Sequence, residues 1–287
     1  MGVPVALSLV GGFAVGLAFR AWLQRFFAVA FRTQFALGLG TLAVLAGWTF
    51  EGGVADVAAL GLLLVAQVSA VGLGAWVFRR RREGPMLAFG LYGNPTMWSL
   101  PIVAATLGAR SAVVLAAYDM LTMPRIALGV RLLRRRAPIP QAPRTALTDY
   151  APMAGAVAGV VLGRFVEAPD SIPGVVGIAG TVLAASSAML LGVAWPRGRW
   201  FKRPEAELAL RALALHLTFV PAVLGAAALL GLALPPALWV LVLGPFPMAT
   251  LSFSRLYGYS VAQAATGLAI SMGAAVALLP LALALGG

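Results

Sequence analysis

Apolar residues run through this chain in ten long blocks, at about 3–19, 31–50, 57–78, 86–109, 111–133, 147–166, 173–194, 207–231, 236–256 and 260–284. Glycine, proline or charged residues occupy the joints between them, as expected of chain-breaking segments. The blocks are close to the ~20 residues a helix needs to cross the hydrocarbon of a bilayer. The pattern therefore predicts an all-α integral membrane protein of ten transmembrane helices.

Composition strengthens that expectation. Of 287 residues, 61% are hydrophobic and only 10% are charged, and the mean hydropathy is +0.94. A soluble domain would carry about a quarter charged residues, and a globule this apolar could not hide its surface from water. Cys is absent, which excludes disulfides, Cys-ligated zinc and thiol nucleophiles. The single histidine, His216, excludes a His-rich metal cluster, so no cofactor is expected. The net charge of +12 would fit nucleic acid, but the basic residues lie in short clusters between apolar blocks. The bilayer, not nucleic acid, is the expected partner.

Those clusters give an orientation. With the N-terminus outside, the inner joints hold Arg20 and Arg25, the run 79–82, Arg131, Arg134, Arg135, Arg136 and Arg144, then Arg197, Arg199, Lys202 and Arg203, and finally Arg255. The outer joints hold Glu51, Asp56, Arg110, Glu167 and Asp170. This is the positive-inside distribution, and it survives the whole length of the chain. The expected location is the plasma (inner) membrane, multi-pass, with both termini outside. Residues 3–19 have no positive segment before them and no A-x-A site after them, so a first span rather than a cleaved leader is expected.

Ten spans divide into five and five, and an odd half starts its successor on the opposite face. That is the arrangement of an inverted-topology repeat, with halves 1–137 and 138–287 and the polar linker 134–148 between them. The fourth block contains Gly93-Asn94-Pro95-Thr96-Met97-Trp98-Ser99-Leu100-Pro101, and the ninth contains Gly244-Pro245-Phe246-Pro247-Met248-Ala249-Thr250. Proline removes a backbone donor and clashes with the preceding turn. Freed backbone groups are tolerated at membrane depth where they line a wet cavity or bind something. Asn94 is a good N-cap with Pro95 at N1 of a second half-helix, and Pro245 or Pro247 can start another. Two such positive ends favour an anionic substrate. The expected binding set is Asn94, Pro95, Thr96, Ser99, Pro245, Pro247, Thr250 and Ser252.

At these residues the chain resembles the auxin efflux carrier family, within the wider group of bile-acid, arsenite and riboflavin-type transporters. Tyr257-Gly258 and the last apolar block with Pro280 look like the family's "RYGG" element and final helix, and Pro245 falls on its Met-Pro position. Gly93-Asn94, Leu100-Pro101, Tyr118-Asp119 and Gly129-Val130 look like its fourth and fifth helices. The resemblance implies a scaffold of helices 1, 2, 6 and 7 and a transport part of helices 3–5 and 8–10. It also implies elevator-like alternating access where helices 4 and 9 cross, small organic anions such as carboxylates or indole acids as substrates, and a homodimer. Ala249 stands where many members have Asn, and the ninth block holds no acidic residue to bind sodium, so coupling to protons is expected before coupling to Na+.

Polar residues inside the blocks carry the remaining chemistry. Asp119 lies mid-way through the fifth, where a carboxylate is costly and is a candidate for proton coupling or for a structural bond. Arg125 either snorkels to the interface or meets a substrate carboxylate, and Gln67 either lines the site or joins helices. His216 is a titratable group or a satisfied structural one. Gly155, Gly159 and Gly163 permit a close helix contact, internal or between copies. Trp48, Trp76 and Trp239 sit near block ends as interfacial anchors. Three other classes fit the chain less well. A sodium-coupled carrier like the bile-acid symporters lacks its acidic residue. A channel would show non-saturating flux. An intramembrane enzyme would need a nucleophile with its base, and no G-x-S-x-G surrounds any serine here.

Overall fold

A computed structural model describes residues 2–49, 54–78, 98–107, 111, 114, 115, 118, 151–196, 201–247, 250, 251, 254 and 259–286. Every element among these is helical. In chain order they are α1 (Gly2–Ala18), α2 (Arg20–Leu23), α3 (Phe27–Thr33), a π-helical stretch (Gln34–Leu39), α4 (Gly40–Trp48), α5 (Val54–Val77), α6 (Leu100–Thr106), α7 (Ala151–Gly163), α8 (Ile172–Ala194), α9 (Arg203–Leu229), α10 (Ala237–Val242) and α11 (Val261–Gly286). Five stretches are long and apolar enough to cross a membrane: Phe27–Trp48, Ala58–Val77, Ile172–Ala194, Arg203–Leu229 and Val261–Leu285. The protein is membrane-embedded. Its surface agrees, since Leu7, Val10, Val29, Leu37 and Ile178 are all more than half exposed, as side chains turned toward lipid would be.

The ends of the helices follow from local chemistry. Pro173 and Pro204 open α8 and α9 in the first turn, where a missing N–H costs nothing. Glu205 adds a negative charge at the positive end of α9. At the other end of α9, Gly231 takes a φ of 89°. Its N–H donates to Ala228 O and that of Leu232 to Ala227 O, the paired bonds of a Schellman cap. Hydroxyls along the spans bond back to their own helices, as half-buried Thr181 does to Gly177 O and buried Thr266 to Ala262 O.

Two glycine seams hold four helices together. A Cβ placed on Gly12 would lie 2.3 Å from Ala185 O, and one on Gly16 would lie 2.0 Å from Met189 O, so α1 runs backbone to backbone along α8. In the same way Gly155, Gly159 and Gly163 of α7 approach Gly40 O, Val44 O and Trp48 O of α4, at 2.5, 2.2 and 2.8 Å from the built Cβ positions. The Gly-x-x-x-Gly run is thus an internal contact. Lipid offers no hydrophobic drive between helices, so this close dispersion contact is what holds them. Trp48 donates its indole N–H to Val166 O, which ties the end of α4 to the end of α7. Trp76 is exposed, whereas Trp239 is half-buried against the core. The π stretch interrupts the span Phe27–Trp48 and carries Gln34, whose amide reaches across to Leu183 O at 3.1 Å and to Ser187 Oγ on α8.

The principal helix contacts among the described residues form two groups. In one, α1, α4, α7 and α8 pack with the π stretch between them; in the other, α9 packs against α5, α10 and α11, and α10 also meets α11. Helix α6 lies against α8 and α1 of the first group, and Ser99, just before it, bonds to Val240 of α10 in the second.

Candidate functional site

The ninth block is broken where the prolines predicted. Helix α10 stops at Val242, and the chain from Leu243 to Pro247 is not helical. This unwound stretch is buried inside the protein: Leu243, Gly244, Pro245 and Phe246 are all inaccessible or nearly so, and Pro247 is half-buried. Irregular backbone at membrane depth survives only with its polar groups satisfied. Here the Phe246 N–H donates to Ser271 Oγ on α11 at 3.1 Å, and the Gly244 N–H donates to Leu241 O.

The described end of the fourth block meets this break. Ser99 Oγ donates to Val240 O at 3.4 Å, and a Cβ on Gly244 would lie 3.1 Å from Trp98 Cδ1. Trp98 and Ser99 sit in a π-type turn that leads into α6, with Pro101 in its first turn. Both are buried. Two segments about 145 residues apart therefore touch in the buried interior.

Of the expected binding residues, Ser99 and Pro245 lie at this contact, half-buried Pro247 ends the unwound stretch, and Thr250 is buried just beyond it. Gln67 is wholly buried on α5 and accepts a hydrogen bond from the hydroxyl of Tyr118. Asn94, Pro95, Thr96, Ser252, Asp119 and Arg125 lie outside the described residues.

The structure adds to the site His216, which the sequence left as titratable or structural, and polar residues of α11 that the pattern did not single out. His216, wholly buried on α9, packs its ring edge-on against Phe246 with centroids 5.9 Å apart. The unwound stretch is therefore walled by α9 as well as α11. Helix α11 presents Gln263, Thr266 and Ser271, all buried, at i, i+3 and i+8 of a helix that is otherwise apolar. That spacing puts them on one face, and the signal was available in the sequence. The buried polar side chains of the described residues are amides, hydroxyls and one imidazole: Gln67, Ser99, Ser187, His216, Thr250, Ser254, Gln263, Thr266 and Ser271. Such a set can recognise a solute by neutral hydrogen bonds. No group of three or more His, Asp or Glu side chains among the described residues is placed to hold a metal ion. Compared with models of protein families and with curated proteins, the chain matches none.

Proposed function

We propose that the chain is a secondary carrier of small organic anions, such as carboxylates or indole acids, working by alternating access at the crossover of its fourth and ninth spans. The observation that carries this reading is the buried, unwound stretch Leu243–Pro247 with Trp98 and Ser99 against it. An intact membrane helix needs no such break, and the cost of holding one is repaid where a solute has to be bound and released.

The inverted-repeat reading is supported by the two glycine seams. Gly12 meets Ala185 and Gly16 meets Met189, while Gly155 meets Gly40 and Gly159 meets Val44. Exchange of the halves turns one set of contacts into the other: 143 residues separate the paired glycines and 145 their partners. Gln67 and His216, both wholly buried, occupy the fourteenth positions of α5 and α9, which pack against each other. In this reading the first helix group is the scaffold and the second is the moving part, with halves 1–137 and 138–287. Asp119 or the substrate itself carries the coupled proton.

Proteoliposomes test the reading. Purified protein takes up radiolabelled carboxylates or indole acids saturably, and an inward proton gradient increases the rate. Pro245→Ala and Asn94→Ala reduce uptake at least tenfold while leaving the protein folded. Uptake unchanged in both variants places the site elsewhere, and non-saturating flux in the wild type points to a channel.

A further inference from the structure

Gln263 stands out among the buried polar groups. It is 0% exposed, and its side-chain Nε2 and Oε1 have no hydrogen-bond partner among the described residues. Thr250 is 5% exposed, and its Oγ1 likewise has none. The Thr250 backbone is satisfied, since its carbonyl accepts from Ser254 Oγ and its N–H donates to Pro247 O. Both orphan side chains belong to the same hairpin. Phe246 is bonded to Ser271 at one end of it, and Ser254 O accepts from the Tyr259 N–H at the other. Thr250 and Gln263 lie on its two arms between those bonds.

A buried primary amide with both ends empty is expensive, and proteins nearly always satisfy such groups. Its vacant chemistry is specific: two N–H donors beside one carbonyl acceptor. A carboxylate accepts from the N–H but sets its negative charge against Oε1. A protonated carboxylic acid matches both ends, with its carbonyl accepting from Nε2 and its O–H donating to Oε1. A primary amide matches in the same way. The buried polar groups around the break carry no fixed positive charge among the described residues, which also favours a neutral head group.

We propose that Gln263 binds the head group of the transported acid in its protonated form, with the Thr250 hydroxyl as a second donor. The proposal rests on the carrier reading above and refines it: the acid named there as an anion is bound undissociated and brings its own proton. Of the titratable groups on the helices packed against α11, Arg203, Glu207 and Arg211 are exposed and His216 is wholly buried. Helix α9, packed on α11, carries Arg203, Glu205, Glu207 and Arg211 in its first turns and His216 deeper, while α10 carries none.

Binding to the purified full chain tests this with a panel of monocarboxylic acids from acetic to indole-3-acetic acid, each with its primary amide and its sulfonate. The expected affinity for the acid falls about tenfold per pH unit above the acid's own pKa. Amide binding stays flat with pH, which isolates any contribution from His216, and the sulfonate, always anionic, binds at least tenfold more weakly. Gln263→Leu loses at least tenfold for acid and amide alike, and its melting temperature rises because an unsatisfied amide has left the interior. Affinity that is independent of pH, sulfonates that bind as well as acids, or full binding by Gln263→Leu overturns the proposal. If Gln263→Leu does not fold, Gln263→Met replaces it, and loss of folding in both shows a structural amide and overturns the proposal as well. Wild-type protein that binds no member of the panel overturns the organic-acid reading itself.

Discussion

Replacing Ser271 with alanine takes away the hydroxyl oxygen that accepts the Phe246 N–H at 3.1 Å in the middle of the unwound stretch. The same hydroxyl donates to Leu268 O within its own helix, a bond whose loss costs little because that carbonyl keeps its helical partner. The serious loss is the backbone donor. Phe246 is 2% exposed, so its N–H would be left buried without an acceptor. An intramolecular hydrogen bond contributes a net ~0.5–1.5 kcal/mol, and an orphaned buried group costs ~1–3 kcal/mol. Ser271→Ala is therefore expected to destabilise the protein by about 2 kcal/mol. The proper control is Ser186→Ala on α8, where a half-buried hydroxyl bonds only to Leu183 O one turn back. That variant should lose under ~0.5 kcal/mol. Unfolding from mixed micelles by rising SDS fraction, followed by far-UV circular dichroism, measures both. Equal stability of the two variants would refute the idea that the break is held by the last helix.

Further outcomes follow from other contacts. Gly159→Ala puts a methyl 2.2 Å from Val44 O and 2.9 Å from the Trp48 N, against backbone that cannot move aside, and should cost about 1–3 kcal/mol. Gly174→Ala and Gly225→Ala meet nothing within 4 Å and should be neutral or gain up to ~1 kcal/mol from helix propensity, so the same unfolding assay ranks the three. Tyr118→Phe removes the hydroxyl that donates to Gln67 in a fully buried pair and should cost ~1–3 kcal/mol, with Tyr118→Phe plus Gln67→Leu milder than the single change.

Much of the fold was legible in the amino-acid order because the bilayer imposes a simple requirement: long apolar runs with breakers between them. The break at Gly244–Pro247 was legible for the same reason, since two prolines in one turn leave no helical alternative. The glycine spacing of α7 announced a close contact, but not that α4 would fill it, because small residues specify the distance of approach and not the partner. The π stretch was not legible. Gln34 reads as an ordinary polar residue until its bonds to Leu183 and Ser187 on α8 are known. His216 against Phe246 joins two spans, and nothing in local spacing predicts it. Gln263 and Ser271 were within reach: polar side chains on one face of an apolar helix are costly enough to need a reason.

Alternating access as proposed needs the helix group containing α5, α9, α10 and α11 to move against the group containing α1, α4, α7 and α8, with the slide taken up beside α6. Leu100 of α6 lies against α8, its Cδ2 2.7 Å from a Cβ built on Gly180. The chain contains no cysteine, so Leu100→Cys with Gly180→Cys introduces the only two thiols. Phe13→Cys with Trp195→Cys, replacing rings 5.3 Å apart at the contact of α1 with the end of α8, is the matching pair inside the scaffold. Uptake by proteoliposomes before and after bridging with a short bifunctional thiol reagent is the direct measurement. The account predicts that bridging 100 to 180 stops uptake and that a reductant restores it, while bridging 13 to 195 leaves uptake intact. Full uptake with 100 bridged to 180 would contradict it.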